Sequence, residues 1–185
     1  MTPSEAANHV RRMLAGHTPA DASEEESLRR IVRLLDDHED PWSRTLFLPG
    51  HLTASAVVVD ASHERALLVF HGKLEMWLQP GGHFEPGERD PAVAAAREVL
   101  EETFLSTRWP GQALVLLDVD VHGIPAHKAE PGHEHFDLRL LLVAESDDAR
   151  AGDGTRDVRW VGRTEAAGLD LDPGLQRALT KVWSR

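Results

Sequence analysis

The carboxylates of Glu98, Glu101 and Glu102, spaced i, i+3, i+4, constrain this chain more than any other feature. On an α-helix they fall on one patch, where like charges repel and destabilise a bare helix. A hard divalent cation such as Mg²⁺ or Mn²⁺ removes that repulsion, because it prefers oxygen ligands and bridges carboxylate to phosphate. The helix has a local start signal. Asp90 supplies an N-cap and Pro91 suits the first helical position. Just upstream, Pro80-Gly-Gly82 marks a tight turn and Glu88 stands as an isolated carboxylate.

The flanking pattern is that of alternating strands and helices. Residues 1–40 read as two helices, with Val10, Met13 and Leu14 on one stripe and Leu28, Ile31, Val32 and Leu35 on the other. Ser23–Glu26 has the form of a capping box, and the second helix should end before Glu39-Asp-Pro41. Leu52–Val59 and Ala66–Phe70 read as a hairpin, with Phe47–Thr53 leading in as a packed connection. Met76–Gln79, Ala113–Leu117, Phe136–Val143 and Val158–Val161 read as further strands. On the glutamate-bearing helix, Val93, Ala96 and Leu100 are expected to face away from the carboxylates, with Ala96 allowing close approach to a sheet. Asp172-Pro-Gly opens a last helix carrying Leu175, Leu179 and Val182 on one side. This order predicts an α/β fold, a mixed sheet with helices on both faces.

Taken together, these residues resemble the Nudix box, a signature built from glycine, Glu, Arg-Glu, an aliphatic residue and Glu-Glu. Gly82, Glu88, Arg97, Glu98, Val99, Glu101, Glu102 and Leu105 fill the matching places. Two departures stand out. Eight residues separate Glu88 from Arg97 where the box has seven, which places an extra residue in the turn around Arg89. Phe104 stands where the box has its last glycine; phenylalanine tolerates a left-handed conformation poorly, which predicts a different helix exit.

The resemblance implies a Nudix-like α/β/α sandwich at residues 46–185, preceded by a helical extension at 1–45. That extension reads as a cap packed on the domain or as an arm for a homodimer. The resemblance further implies metal ligation by the Gly81 carbonyl, Glu98, Glu101 and Glu102, with Mg²⁺ or Mn²⁺ as cofactor. Catalytic roles fall to Glu98, Arg97 and Glu88. Arg97 can pair with Glu101 or reach back to Glu88, and Glu98 is the box candidate for proton acceptor, although some family members take the base from a loop. The implied activity is metal-dependent hydrolysis of a phosphoanhydride in a nucleoside diphosphate linked to another group. A catalytically silent nucleotide-binding or sensing domain is the alternative, disfavoured by the full set of carboxylates. Isopentenyl-diphosphate isomerase, another enzyme of this fold, implies a catalytic cysteine, and the chain has 0 cysteines.

Charge narrows the partners. At −11 the chain lacks the basic stripe that a nucleic-acid polymer requires, while a metal-bridged phosphate remains compatible with an acidic site. Glu24–Glu26 reads as part of a solubilising surface. No apolar run approaches the ~20 residues that span a bilayer, and the first residues lack a signal-peptide pattern, so a cytoplasmic location is expected.

A second cluster is the His-rich segment 122–137. His133, His135 and Asp137 share one face of a strand at period 2, after a Gly/Pro-containing loop at 122–132 that includes His122. Contact with substrate, a separate metal site, or simple exposure are all compatible with it. His83, next to the glycine turn, joins His122, His133, His135 and Asp137 as candidates for substrate binding. Trp77, Trp109 and Trp160 could stack on a base, but tryptophan at strand positions more often packs in a core.

Overall fold

A computed structural model describes every residue except Gln112, Lys128, Ala129 and Arg185. Two helices come first, α1 (Pro3–Ala15) and α2 (Ala22–Asp37), followed by β1 (Gly50–Val59), β2 (Arg65–His71), β3 (Met76–Leu78) and β4 (Gly81–His83). The glutamate-bearing helix is α3 (Pro91–Thr103), and then come β5 (Thr107–Arg108), β6 (Leu116–Ile124), β7 (His133–Ala144) and β8 (Thr155–Gly162). A short α4 (Arg163–Ala166) and α5 (Pro173–Val182) close the chain. No helix among the described residues is long and apolar enough to cross a membrane.

The strands form one mixed sheet. Its central pairing is parallel, β1 against β7, running from Gly50 opposite Glu134 to Val59 opposite Val143. Around it β2 and β4 lie antiparallel to β1, and β5 and β6 antiparallel to β7. The hairpin of β1 and β2 exists, but β1 shares far more of its length with β7, which is distant in sequence. Both faces are covered, as expected. Leu52, Ala54, Ala56 and Val58 pack with α1, α2 and α3, while Val57, Val59, Leu141 and Val143 pack with α4 and α5. Buried residues of α1 and α2 belong to the same apolar cluster as those of α3.

Several expectations are corrected. The N-cap of α2 is Asp21, which accepts from the Glu24 N–H at 2.8 Å, so Ser23 lies inside the helix. Glu24 is not a solubilising surface group: it is fully buried, hydrogen-bonded to His17 and Lys181, and accepts the Val119 N–H. With Ser27, which accepts the Val121 N–H, it satisfies outward-facing backbone donors of β6. The expected strand at 113–117 begins only at Leu116 and runs on to Ile124, so His122 belongs to a strand and not to a loop. Of the remaining loop, residues 128 and 129 lie outside the described residues. Gly50 and His51, expected in a connection, open the central strand β1.

The packing face of α3 also differs from expectation. Val93 and Leu100 are about half exposed, and the helix presents Pro91, Ala94, Ala95 and Val99 to the sheet. The small Ala94 and Ala95 let the helix approach closely, and Glu98 and Glu102 meet the Gly81–Gly82 backbone on its inner flank. Phe104 is a second correction, because the helix keeps the left-handed exit: φ 57°, ψ 17°, with the Phe104 N–H donating to Leu100 O. Residues 150–153 complete that end, since the Arg150, Gly152 and Asp153 N–H groups donate to Thr103, Glu102 and Glu101 carbonyls. A β-carbon on Gly152 would strike the Glu101 carbonyl oxygen. A left-handed L-residue costs about 1–2 kcal/mol, and the Phe104 side chain is largely exposed. Phe104→Gly is therefore expected to stabilise the protein by up to about 1 kcal/mol after the added flexibility of the unfolded chain is counted. A higher urea midpoint is the expected reading, and a lower one would show that the phenyl ring packs productively.

Candidate active site

The metal-binding candidates gather where β4 meets α3. β4 pairs with β1 through Gly81 opposite Ser55, Gly82 opposite Ala54 and His83 opposite Thr53. Glycine is required here for close approach. A β-carbon on Gly82 would lie 2.6 Å from Glu98 Oε1, so the Glu98 carboxylate rests directly over the backbone. The Gly81 N–H donates to Glu102 Oε2 at 3.1 Å. Arg97 satisfies both pairings open to it. Its Nη1 donates to Glu98 Oε1 at 3.0 Å and Glu101 Oε2 at 2.8 Å, while its Nη2 donates to Glu88 Oε2 at 3.0 Å and the His83 carbonyl at 2.8 Å. The extra residue before Asp90 is absorbed without loss of the Glu88–Arg97 pair.

The electrostatics single out Glu102. It is 9% exposed, and no cationic side chain among the described residues pairs with it. Burial pushes its carboxyl up to about 8, and burial also raises Glu98 despite the neighbouring Arg97. Glu88, Glu98 and Glu101 share Arg97, whose charge is held firmly. An acidic, oxygen-only donor set holding a buried, uncompensated carboxylate suits a hard divalent cation. Gly81, Glu98, Glu101 and Glu102 thus sit together, with Arg97 and Glu88 as their brace.

The histidines form a second constellation on the sheet itself. In register across three strands, His51 of β1 lies opposite His135 of β7, which lies opposite His122 of β6. His133 precedes His135 by one full pleat, and the His83 ring of β4 lies tilted against His51 and edge-on to His135, with centroids 5.0 and 4.9 Å away. Burial, reinforced by the neighbouring rings, lowers His83 to about 4 and His135 to about 2, and burial lowers His51 as well. These rings are neutral at pH 7. His122 differs: burial opposes its charge, but a 3.0 Å bond to Asp120 outweighs that and raises it.

Asp137 is occupied otherwise. Its oxygens accept from Thr53 (3.0 Å), Ser55 (2.6 Å) and Arg139 (3.1 Å), all beneath the surface. Arg139 in turn pairs with Asp118 and Asp120, and Arg177 and Lys181 of α5 close the network on Asp118 and Glu24. The structure therefore brings His83, His122, His133 and His135 into one group and places Asp137 next to them inside an ion network. His51 was missed by the motif reading, although His51, Thr53 and Ser55 alternate with Leu52, Ala54 and Ala56 at the period of a strand. The tryptophans pack: Trp77 lies under the Arg159 guanidinium, and Trp160 donates to the Asp147 carbonyl.

Comparison with known proteins matches this geometry to one family. A family model described as NUDIX domain matches residues 49–182. The chain is 32% identical over 130 residues to a probable DHNTP pyrophosphohydrolase from Lactococcus lactis subsp. cremoris, an overlap of 69% of this chain and 75% of that protein. Among solved structures, a MutT NUDIX hydrolase from Burkholderia pseudomallei superposes with a TM-score of 0.56 at 23% identity, covering 71% of this chain and 96% of that one. The E. coli dihydroneopterin triphosphate pyrophosphohydrolase superposes with a TM-score of 0.54 at 19% identity, covering 72% and 96%. At these identities the two structures establish the fold alone.

Proposed function

The chain belongs to the NUDIX domain family and is a Nudix pyrophosphohydrolase, and on that premise we propose that it hydrolyses, with a divalent metal, a phosphoanhydride in a nucleoside diphosphate linked to another group. The observation that carries this reading is the buried Glu102 carboxylate, uncompensated beside Glu98 and the Gly81 backbone. Gly81, Glu98, Glu101 and Glu102 would hold Mg²⁺ or Mn²⁺, which supplies positive charge against the phosphates and acidifies water. Arg97 fixes three carboxylates and the β4 backbone at once, so the donor set is preorganised. Glu98 is the candidate to take the proton of the attacking water as its oxygen bonds to phosphorus and the bridging P–O bond breaks. The neighbouring histidine constellation is the candidate to contact the part of the substrate beyond the diphosphate.

The relative named for DHNTP hydrolysis puts dihydroneopterin triphosphate in the first panel of substrates. Nucleoside triphosphates, dinucleoside polyphosphates, nucleotide sugars and dinucleotide cofactors complete it. With Mg²⁺, mass spectrometry is expected to find two phosphate-bearing products or pyrophosphate from at least one compound, and chelation should abolish them. Binding without turnover across the whole panel would instead support a silent sensing domain.

A further inference from the structure

The box site is an oxygen site, and its neighbour on the sheet is a nitrogen site. We propose that His51, His133 and His135 form a separate binding site for a borderline transition-metal cation of the Zn²⁺ type, distinct from the carboxylate centre.

Ring orientation is the first support. His51 Nδ1 lies 3.1 Å from the Leu46 carbonyl, and His133 Nδ1 lies 2.9 Å from the Pro131 carbonyl. A carbonyl only accepts, so each Nδ1 carries a proton, and in the neutral form of the ring each Nε2 presents a lone pair. Backbone carbonyls holding the far nitrogen of a ring in this way are the usual outer support of metal-bound histidine. The second support is an orphan. His51 Nε2 is buried without a hydrogen-bond partner among the described residues, in a ring only 1% exposed. Such atoms are rare, because an unpaired buried polar group costs free energy.

Spacing is the third support. One ligand nitrogen from each of the three residues lies within 4.8 Å of the other two. A tetrahedral zinc with Zn–N bonds of about 2.0–2.1 Å sets its ligand nitrogens about 3.3–3.4 Å apart. The Nε2 atoms of His133 and His135 are 3.3 Å apart. Three imidazole nitrogens suit zinc, cobalt, nickel or copper and do not suit magnesium, so the two centres would discriminate between cations by ligand chemistry. The parallel register of β1 and β7 builds the site, since it sets His51 directly opposite His135. His83 touches both centres: its ring lies tilted against His51 and edge-on to His135, while its carbonyl accepts from Arg97.

The test uses the full chain, stripped of metal by chelation and then titrated with Zn²⁺ against a chromophoric chelator in excess Mg²⁺. One equivalent is expected to bind without displacement by Mg²⁺, and Co²⁺ should give the visible spectrum of a tetrahedral nitrogen site. His51→Ala and His135→Gln should each weaken Zn²⁺ binding by more than the ~10–100-fold typical of losing an outer partner. Glu98→Gln should retain it. His135 is only partly buried, so its glutamine variant guards against misfolding. The Zn²⁺-dependent rise in melting temperature should vanish in that variant while its metal-free melting temperature stays near wild type. No stoichiometric Zn²⁺ binding by the wild type would reduce the His133–His135 contact to an ordinary hydrogen bond and overturn the proposal. Binding unchanged in both histidine variants, or lost in Glu98→Gln alone, would overturn it as well. None of these readouts depends on turnover, so failure here leaves the hydrolase reading standing, and the reverse also holds.

Discussion

Glu102→Gln is expected to abolish most Mg²⁺-dependent hydrolysis while leaving the metal-free protein at least as stable as the wild type. The two halves of that result have one cause. Glu102 is buried, and no cation among the described residues offsets it; its only hydrogen bond among those residues is from the Gly81 N–H. Ionising it in the empty site is therefore costly, which is why burial pushes its carboxyl up to about 8. A neutral amide can keep the Gly81 hydrogen bond and removes that cost, so stability should hold or rise. The amide is a poor ligand for a hard cation, and activity should fall by at least about 100-fold. Glu98→Gln should fall by about 10²–10⁴-fold, because it removes both a ligand and the candidate proton acceptor. Glu101→Gln should be milder, since Glu101 is 44% exposed and already paired with Arg97. Thermal melts with and without Mg²⁺ complete the experiment: the metal should raise the wild-type midpoint and leave that of Glu102→Gln unmoved. Undiminished turnover in both Glu98→Gln and Glu102→Gln would sink the metal mechanism.

Arg139→Met is expected to cost about 3–5 kcal/mol of stability, the range for stripping one partner from a buried ion pair. Arg139 is 2% exposed and contacts Asp118 at 3.3 Å, Asp120 at 3.2 Å and Asp137 at 3.1 Å. Its removal leaves Asp118 to Arg177 and Lys181 of α5, Asp120 to Arg177 and His122, and Asp137 with no cationic partner among the described residues. The space is also committed, because a β-carbon at Gly174 would lie 2.7 Å from Arg139 Nη1. Urea midpoints should report the loss, with Arg156→Met as the control: its pair with Glu75 is 58% and 69% exposed and should be worth under about 1 kcal/mol. Equal stability of Arg139→Met and wild type would refute this account. The same network predicts acid lability. Burial opposes the charge of Glu24, yet hydrogen bonds from His17, the Ala20 N–H and Lys181 outweigh it and hold its carboxyl well below the ordinary 4.5. Asp120 is likewise depressed, by His122, Arg139 and Arg177. A depressed folded-state value means that the stabilisation is complete above about 4.5 and drains away as pH falls below it. Glu24→Gln should be less stable than wild type at pH 7 and show a shallower loss on acidification.

What could be read without coordinates was local. Asp90 and Pro91 start α3 because an N-cap side chain and a fixed φ act within one turn. Arg97 reaches Glu101 because four residues make just over one helical turn. The glycine turn and the carboxylate spacing carry the chemistry in the same way, through covalent connectivity and helix period alone.

What the sequence could not decide were contests between segments far apart in the chain. Whether Val93 and Leu100 or Ala94, Ala95 and Val99 face the sheet depends on how closely the helix approaches, and alanines fit either side of such a pattern. Phe104 can hold a left-handed exit because residues 150–153 satisfy the carbonyls at that end, and nothing near Phe104 announces it. Glu24 reads like its neighbours Glu25 and Glu26 until β6 and α5 bring it a backbone N–H and Lys181. His51 becomes a candidate ligand only when the parallel pairing of β1 and β7 sets it opposite His135. Hydrogen-bond registers and buried charges are satisfied by whole elements at once, so their partners are fixed by the tertiary packing and not by spacing along the chain.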